Sequence, residues 1–182
     1  MVQIDILGPF YLHNSNERNY FISCFDDCSR KVASKLSERK RTVDVLDVLE
    51  EWIVLNGKPK KKMRDNGKQF TSNTFRHFLK HNNIHDKPIP KSYPQLQGKV
   101  EAYNKIVKNE FLAVEDLSNI NDGKLRYEMF VKAYNETREH GGINGLTPSE
   151  MFLQRLIKSD TYTKKKQESV THVGKQNCYL SL

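Results

Sequence analysis

Three acidic residues stand apart by their positions in the chain. Asp5 lies within the apolar run VQIDILGPF, Asp65 opens Asp65-Asn66-Gly67 directly after KKKMR, and Glu101 sits among lysines in KSYPQLQGKVEAYNKIVKNE, just behind Gly98. Between the last two lie 35 residues. Each acid taken alone has an ordinary reading. Asp5 could face solvent from a strand, Asp-Asn-Gly is a common tight turn because Asn-Gly favours positive φ, and Glu101 has a helical partner in Lys105. Brought together, the three would repel one another, whereas a pair of divalent cations neutralises them and can bridge a phosphate. Hard oxygen ligands suit Mg²⁺ or Mn²⁺ rather than zinc. Spacing alone leaves both readings open.

Such acids need rigid elements beneath them. Residues 2–10 read as a mostly apolar strand stopped by Gly8-Pro9, residues 19–28 as a second apolar run after a polar turn, and RKVASKL (30–36) as a third strand with one solvent-facing side. Asp5 therefore falls inside a strand. Thr42 is placed to cap a helix carrying Val45, Leu46, Leu49, Trp52 and Ile53 at helical spacing, with Asn56-Gly57 and Pro59 as its stop. The KKKMR stretch then delivers Asp65 at the carboxyl end of a short strand, a helix opens near Ser72, and 84–89 forms one more strand before the Pro88-Pro90-Pro94 loop and the helix of Glu101. A helix over 122–140 follows with Leu125, Met129, Phe130 and Ala133 at helical spacing, and another opens at Pro148 in the first-turn position. Strands first, then alternating helix and strand, then helices only, predict an α/β mixed sheet covered on both faces. A site is expected at the carboxyl ends of its parallel strands.

The bulk properties narrow the partners. With 182 residues and 37% hydrophobic content, the chain is long enough for one sizeable core, expected over 1–158, with a basic polar tail over 159–182. Thirty Lys and Arg against 22 Asp and Glu give a formal charge of +8, which favours a polyanion through counterion release. Three cysteines make no disulfide framework; Cys24 and Cys28 fall in an apolar strand-like run and are expected to be buried or inert. Asp5 interrupts the only apolar run near the N-terminus before it becomes a signal sequence, and no stretch approaches the length of a membrane span. The expectation is a cytoplasmic, nucleoid-associated protein with no membrane partner and no organic cofactor.

Four ordered segments carry a family resemblance. MRDNGKQFTSNTFRHFL (63–79) resembles the Asp-Asn-Gly-x-x-Phe segment of retroviral-type integrases and DDE transposases, and SYPQLQGKVEAYNKIVKNE (92–110) resembles their Ser-x-Pro-Gln-x-x-Gly-x-Val-Glu segment. QIDILGP and FDDCSRKV resemble the opening strands, and AYNETREHGGINGLTPSEMF (133–152) is similar to the closing signature of Tyr-Asn, a downstream His, and Thr-Pro before a last helix. The likeness runs over residues 2–157.

That resemblance implies an RNase H-like catalytic core, a five-stranded mixed sheet flanked by helices on both faces, with Asp5, Asp65 and Glu101 as the catalytic, metal-binding triad. It implies two Mg²⁺ or Mn²⁺ ions per site, Asp5 bridging them, with Asp65 on one and Glu101 on the other. DNA is the implied partner, and a homo-oligomer is expected because two ends must be joined. On a helix, Asn104, Lys105 and Lys108 share the face of Glu101 and are placed to hold DNA phosphates or bases, and Gln95 lies in reach. Lys99 and the run of Lys58, Lys60, Lys61, Lys62 and Arg64 are weaker candidates beside a simple solvated face.

Other residues compete for these roles. Asp26 and Asp27 rival Asp5 but fall in the strand-turn acidic slot before Ser29-Arg30. His77, His81 and His85 recur every four positions and are expected at the surface rather than on a metal. His140 follows Tyr134-Asn135, although the usual Pro before it is Glu139, and helix packing is its expected role. Family members usually begin with a helix-turn-helix or zinc module, and the Trp often found three before the first aspartate is Val2 here. The expectation is a free-standing core or a truncated remnant. A non-catalytic DNA-binding or dimerising remnant is the alternative, and a nuclease acting on RNA–DNA hybrids stands third.

Overall fold

A computed structural model describes residues 1–13, 15–64, 67–88, 98–117 and 119–159. Asp65, Gln95 and Cys178 lie outside them. Five strands form one sheet: β1 (Val2–Tyr11), β2 (Arg18–Asp26), β3 (Val32–Ser37), β4 (Lys61–Arg64) and β5 (His85–Pro88), in the order β3-β2-β1-β4-β5. The first three make an antiparallel meander, and β4 and β5 add parallel to β1. Strands β1 and β2 pair from Val2 opposite Asp26 to Tyr11 opposite Arg18, with a register shift between Leu7 and Phe10. Here the expected stop at Gly8-Pro9 is corrected. A proline without an N–H is tolerated at a bulge, and the strand resumes beyond it. Gly8 is required there: its φ is +133°, and a Cβ would stand 2.8 Å from the Asn19 carbonyl oxygen.

Alternation along β2 divides the core. Ile22 and Cys24 point to one face, where α1 (Thr42–Asn56), α2 (Lys68–Thr71) and α3 (Asn73–His81) bring Trp52, Phe70 and Phe75. Phe21 and Phe25 point to the other, meeting Tyr103 of α4 (Gly98–Ile106), Phe111 of the π-helical turn Val107–Leu112, and Tyr127 of α5 (Ile120–Glu136). Burying both faces explains why β2 reads as a nearly unbroken apolar run rather than an alternating one.

The helix ends refine the sequence reading. Arg41, not Thr42, precedes α1, and the Asp44 carboxylate accepts the Arg41 backbone N–H at 2.7 Å, while the Thr42 hydroxyl donates to Gln69 and bonds Ser72. Ser72 caps α3 through the Phe75 N–H, after the short α2 that the sequence pattern did not show. On α5 the expected face is corrected. Leu125 and Met129 are exposed, at 58% and 65%, and the buried stripe is Gly123, Tyr127, Val131 and Tyr134. Both stripes have helical spacing, but only the second puts a glycine where β3 comes closest: a Cβ on Gly123 would meet Leu36 at 3.2 Å. A last helix, α6 (148–159), starts with a capping box: Glu150 accepts the Thr147 N–H at 2.8 Å, and Thr147 Oγ1 accepts the Glu150 N–H at 3.3 Å. Those bonds hold the Glu150 carboxyl below its ordinary pKa.

Candidate active site

Strand β4 ends beside the middle of β1. Its last described pair is Arg64 with Ile4, so the next residue on β1 is Asp5 and the next along the chain is Asp65. Asp5 faces α4 from a half-buried position, and Asn104 of that helix donates its side-chain amide to the Asp5 carboxylate at 2.6 Å. Glu101 lies three residues earlier on α4, hence on the same face, and is exposed. The Asn104 contact docks α4 on Asp5, and Glu101 shares the face of the helix that Asn104 presents. Among the described residues no three His, Cys, Asp or Glu side chains form a group able to hold a metal ion, and the third acid of the expected set, Asp65, is outside them. An oxygen-only donor set with Asp5 already held by an amide suits a hard divalent cation.

The surrounding cations sort into different roles. Lys99, in the first turn of α4, puts its ammonium 3.1 Å from the Asp27 carboxylate and 3.0 Å from the Asp27 carbonyl, tying the helix start to the turn after β2. Lys105 and Lys108 are exposed. Lys108 falls in the π-helical turn, which advances less per residue than an α-helix, so its seven-residue spacing from Glu101 no longer stacks the two strictly. Lys62 is corrected outright. It is fully buried, with its ammonium 3.1 Å from Asp86 and 3.9 Å from the centre of the Phe75 ring, so it faces the core and not a duplex. Strand alternation in KKMR turns one lysine inward, and nothing in a run of lysines says which.

The rival residues have structural duties. Asp26 is buried, accepts from the Ser29 N–H and hydroxyl at 2.9 and 2.8 Å, and pairs with the Met1 amino group and Arg155 of α6. It holds the β2–β3 turn and the last helix rather than facing Asp5. His77, His81 and His85 are all exposed. His140 packs its ring against Tyr134, centroids 4.9 Å apart, and burial with nearby Arg138 and Arg30 lowers its pKa. Cys24 is buried, and desolvation pushes its thiol far up, whereas Cys28 belongs to the turn after β2 and is exposed. What sequence reasoning missed was the partner of Asn104, expected on DNA and found on Asp5. Its helical distance from Glu101 was the available signal.

A five-stranded mixed sheet in this order, with helices on both faces, is the RNase H-like architecture of integrase catalytic cores. The family model described as Integrase core domain matches residues 1–94, a second model of that description matches 82–148, and the chain belongs to this family. Among curated relatives, it is 26% identical over 178 residues to the Uncharacterized protein K02A2.6 of Caenorhabditis elegans, covering 98% of this chain and 13% of that protein. It is 29% identical over 113 residues to the Retrovirus-related Pol polyprotein from transposon TNT 1-94 of Nicotiana tabacum, covering 59% of this chain and 8% of that one. The chain therefore spans a small part of either relative. Among solved structures, the BIV integrase catalytic core aligns with a TM-score of 0.69 at 19% identity, covering 87% of this chain and 96% of that one. The HTLV-2 integrase catalytic core in complex with magnesium aligns at 0.65 and 19%, covering 83% and 94%. A chain of the simian T-cell lymphotropic virus intasome aligns at 0.69 and 20%, covering 83% and 53%.

Proposed function

We propose that this chain is the catalytic core of a DNA transposase or integrase that cleaves and joins DNA strands with the help of divalent metal ions. One contact carries this reading: the 2.6 Å bond from Asn104 to Asp5, which docks the helix that also carries Glu101 on the strand of Asp5. Asp5, Asp65 and Glu101 are the residues that would hold two Mg²⁺ or Mn²⁺ ions, whose chemistry is to activate a water or 3′-hydroxyl and stabilise the leaving 3′ oxygen at phosphorus. The chain's own part is positioning. Asn104 fixes the orientation of the Asp5 carboxylate. Lys105 and Lys108 neutralise phosphates along the exposed face of α4, with Gln95 before the helix as a further contact, and such contacts orient DNA without reading its sequence. Lys99 joins them only by leaving Asp27. The DNA ends and target are the partners, and a homo-oligomer brings two ends together. The HTLV-2 core is a complex with magnesium and the simian virus protein is part of an intasome, and both support this reading by family analogy.

The test is a Mn²⁺-dependent nicking or disintegration assay on purified protein, with Asp65→Asn as control. Activity that falls to background in the variant is expected. Activity untouched by the change removes the site assignment, and silence in both forms favours a non-catalytic remnant with the same fold.

A further inference from the structure

A line of buried hydroxyls runs between the sheet and α4. Ser23 Oγ lies 2.7 Å from Ser34 Oγ, Ser34 Oγ lies 2.7 Å from Tyr127 Oη, and Tyr127 Oη lies 3.0 Å from Tyr103 Oη. All four residues are buried, and Ser34 also donates to the Ile22 carbonyl at 3.1 Å. The two ends of the line are what give it meaning. Ser23 is the register partner of Asp5 across β1 and β2, and Tyr103 immediately precedes Asn104, whose amide reaches Asp5. The hydroxyls therefore close a circuit that starts at Asp5, crosses to α4 through Asn104, and returns through α5 and β3 to the residue opposite Asp5.

The direction of the line follows from counting protons. A hydroxyl has one hydrogen to donate. With the Ser34 hydrogen on the Ile22 carbonyl, Ser34 accepts from both Ser23 and Tyr127, and Tyr127, its own hydrogen spent, accepts from Tyr103. Every proton is committed, and burial keeps both phenols protonated, raising Tyr127 to about 12 and Tyr103 well above its ordinary value. Around the two tyrosines the interface is apolar, with Phe21, Phe25, Phe111 and Tyr134 against their rings and aliphatic side chains such as Val100 and Val107 in the same cluster. Apolar contact of that kind is non-directional and lets a helix shift along or rotate against a sheet. Hydrogen bonds impose a narrow distance and angle, and a satisfied buried network specifies one arrangement.

We propose that Tyr103, Tyr127, Ser34 and Ser23 form a positioning line that fixes the height and rotation of α4 on the sheet, and so holds Glu101 and Asn104 over Asp5 in the geometry a divalent cation requires. All four are buried and act through α4. This rests on the reading of Asp5 and Glu101 as metal ligands. It adds Tyr127, on a helix that carries none of the three acids, to the residues on which the site depends. Removing the Tyr127 hydroxyl takes away the oxygen that lies 3.0 Å from the Tyr103 hydroxyl, whereas removing the Tyr103 hydroxyl leaves Tyr127 on Ser34. Tyr127→Phe is therefore the more damaging of the two changes.

The experiment uses the full chain and Mn²⁺ alone, reading free ion by electron paramagnetic resonance and the α4 amides 100–106 by hydrogen exchange without metal. Tyr127→Phe is expected to weaken Mn²⁺ binding by roughly tenfold and speed α4 exchange, with Tyr103→Phe intermediate. Val48→Ala, a packing loss in the core on the opposite face, lowers stability but leaves Mn²⁺ affinity as in the parent. Tyrosine variants that bind Mn²⁺ like the parent, or a Val48→Ala protein that loses affinity equally, overturn the proposal. Asp5→Asn separates the two levels: if it abolishes Mn²⁺ binding while Tyr127→Phe does not alter it, only the positioning line falls, and if Asp5→Asn binds normally, the metal reading of the carboxylates falls as well.

Discussion

Asn104 and Asp5 stand 99 positions apart in sequence, and the amide nitrogen of the first lies 2.6 Å from a carboxylate oxygen of the second. A neutral donor on a carboxylate orients it without cancelling its charge, which is what a cation ligand needs. Asn104→Leu removes that donor from a half-buried acid. A hydrogen bond to a charged group is worth about 1.5–3 kcal/mol, so under the proposed function the Mn²⁺-supported strand-cleavage rate is expected to fall by roughly 10- to 100-fold with the fold intact by circular dichroism. A rate within twofold of the parent would show that Asp5 is held by other means.

Lys62 and Asp86 are paired across β4 and β5, where their Cα atoms are register partners. The lysine is fully buried against the Phe75 ring, and the aspartate is partly exposed. Replacing a buried ion by an apolar side chain of similar length is often neutral or stabilising, whereas removing one partner weakens the pairing of the charge that stays buried. Urea unfolding should show Lys62→Met within about 1 kcal/mol of the parent and Asp86→Ala the more destabilised of the two. DNA affinity should be unchanged in Lys62→Met, since the ammonium never reaches the surface. A loss of affinity there, with stability preserved, would return Lys62 to the proposed DNA-binding face.

Much of this architecture was legible because its strongest signals are local. Two buried faces made β2 a continuous apolar run, Ser72 and Thr-Pro-Ser-Glu marked helix starts, and Asn56-Gly57 marked a helix stop. The order of strands and helices predicted a mixed sheet covered on both faces, and the family resemblance added its five-stranded, RNase H-like form. What stayed hidden depends on distance between elements. Leu125 and Met129 have the same helical spacing as the stripe that packs, and only the approach of Leu36 to Gly123 decides between them. The inward turn of Lys62 and the return of Asn104 onto Asp5 are likewise set by neighbours remote in sequence.

Asn135 grips the backbone of an edge strand with both ends of its amide. Its Oδ1 accepts the Val32 N–H at 3.0 Å and its Nδ2 donates to the Val32 carbonyl at 2.8 Å, joining α5 to β3. The Tyr-Asn of the closing signature thus replaces the ladder that β3 lacks on its outer side. Asn135→Ala leaves a buried N–H and C=O unpaired, which costs about 1–3 kcal/mol for each group. A drop in unfolding free energy of at least about 2 kcal/mol is expected, and Asn135→Asp should be no milder, because it keeps the acceptor but turns an oxygen against the Val32 carbonyl. Stability unchanged in Asn135→Ala would mean that water satisfies the edge.

His140 offers a stability readout with a defined sign. Its pKa is lowered first by burial, then by the neighbouring Arg138 and Arg30 guanidinium groups, so the folded state keeps the ring neutral where the unfolded chain would protonate it. The unfolded value is about 6.5. Above it both states are neutral and the residue contributes no pH dependence. As pH falls below it the unfolded chain takes up the proton first, so stability is lost progressively until the folded pKa is passed, where the loss levels off. His140→Phe keeps an aromatic ring against Tyr134 and has no proton to bind. Unfolding free energies measured in urea from pH 7.5 down to 5 should therefore fall less steeply for the variant than for the parent. Equal slopes would assign the acid sensitivity to other groups and leave His140 a packing residue only.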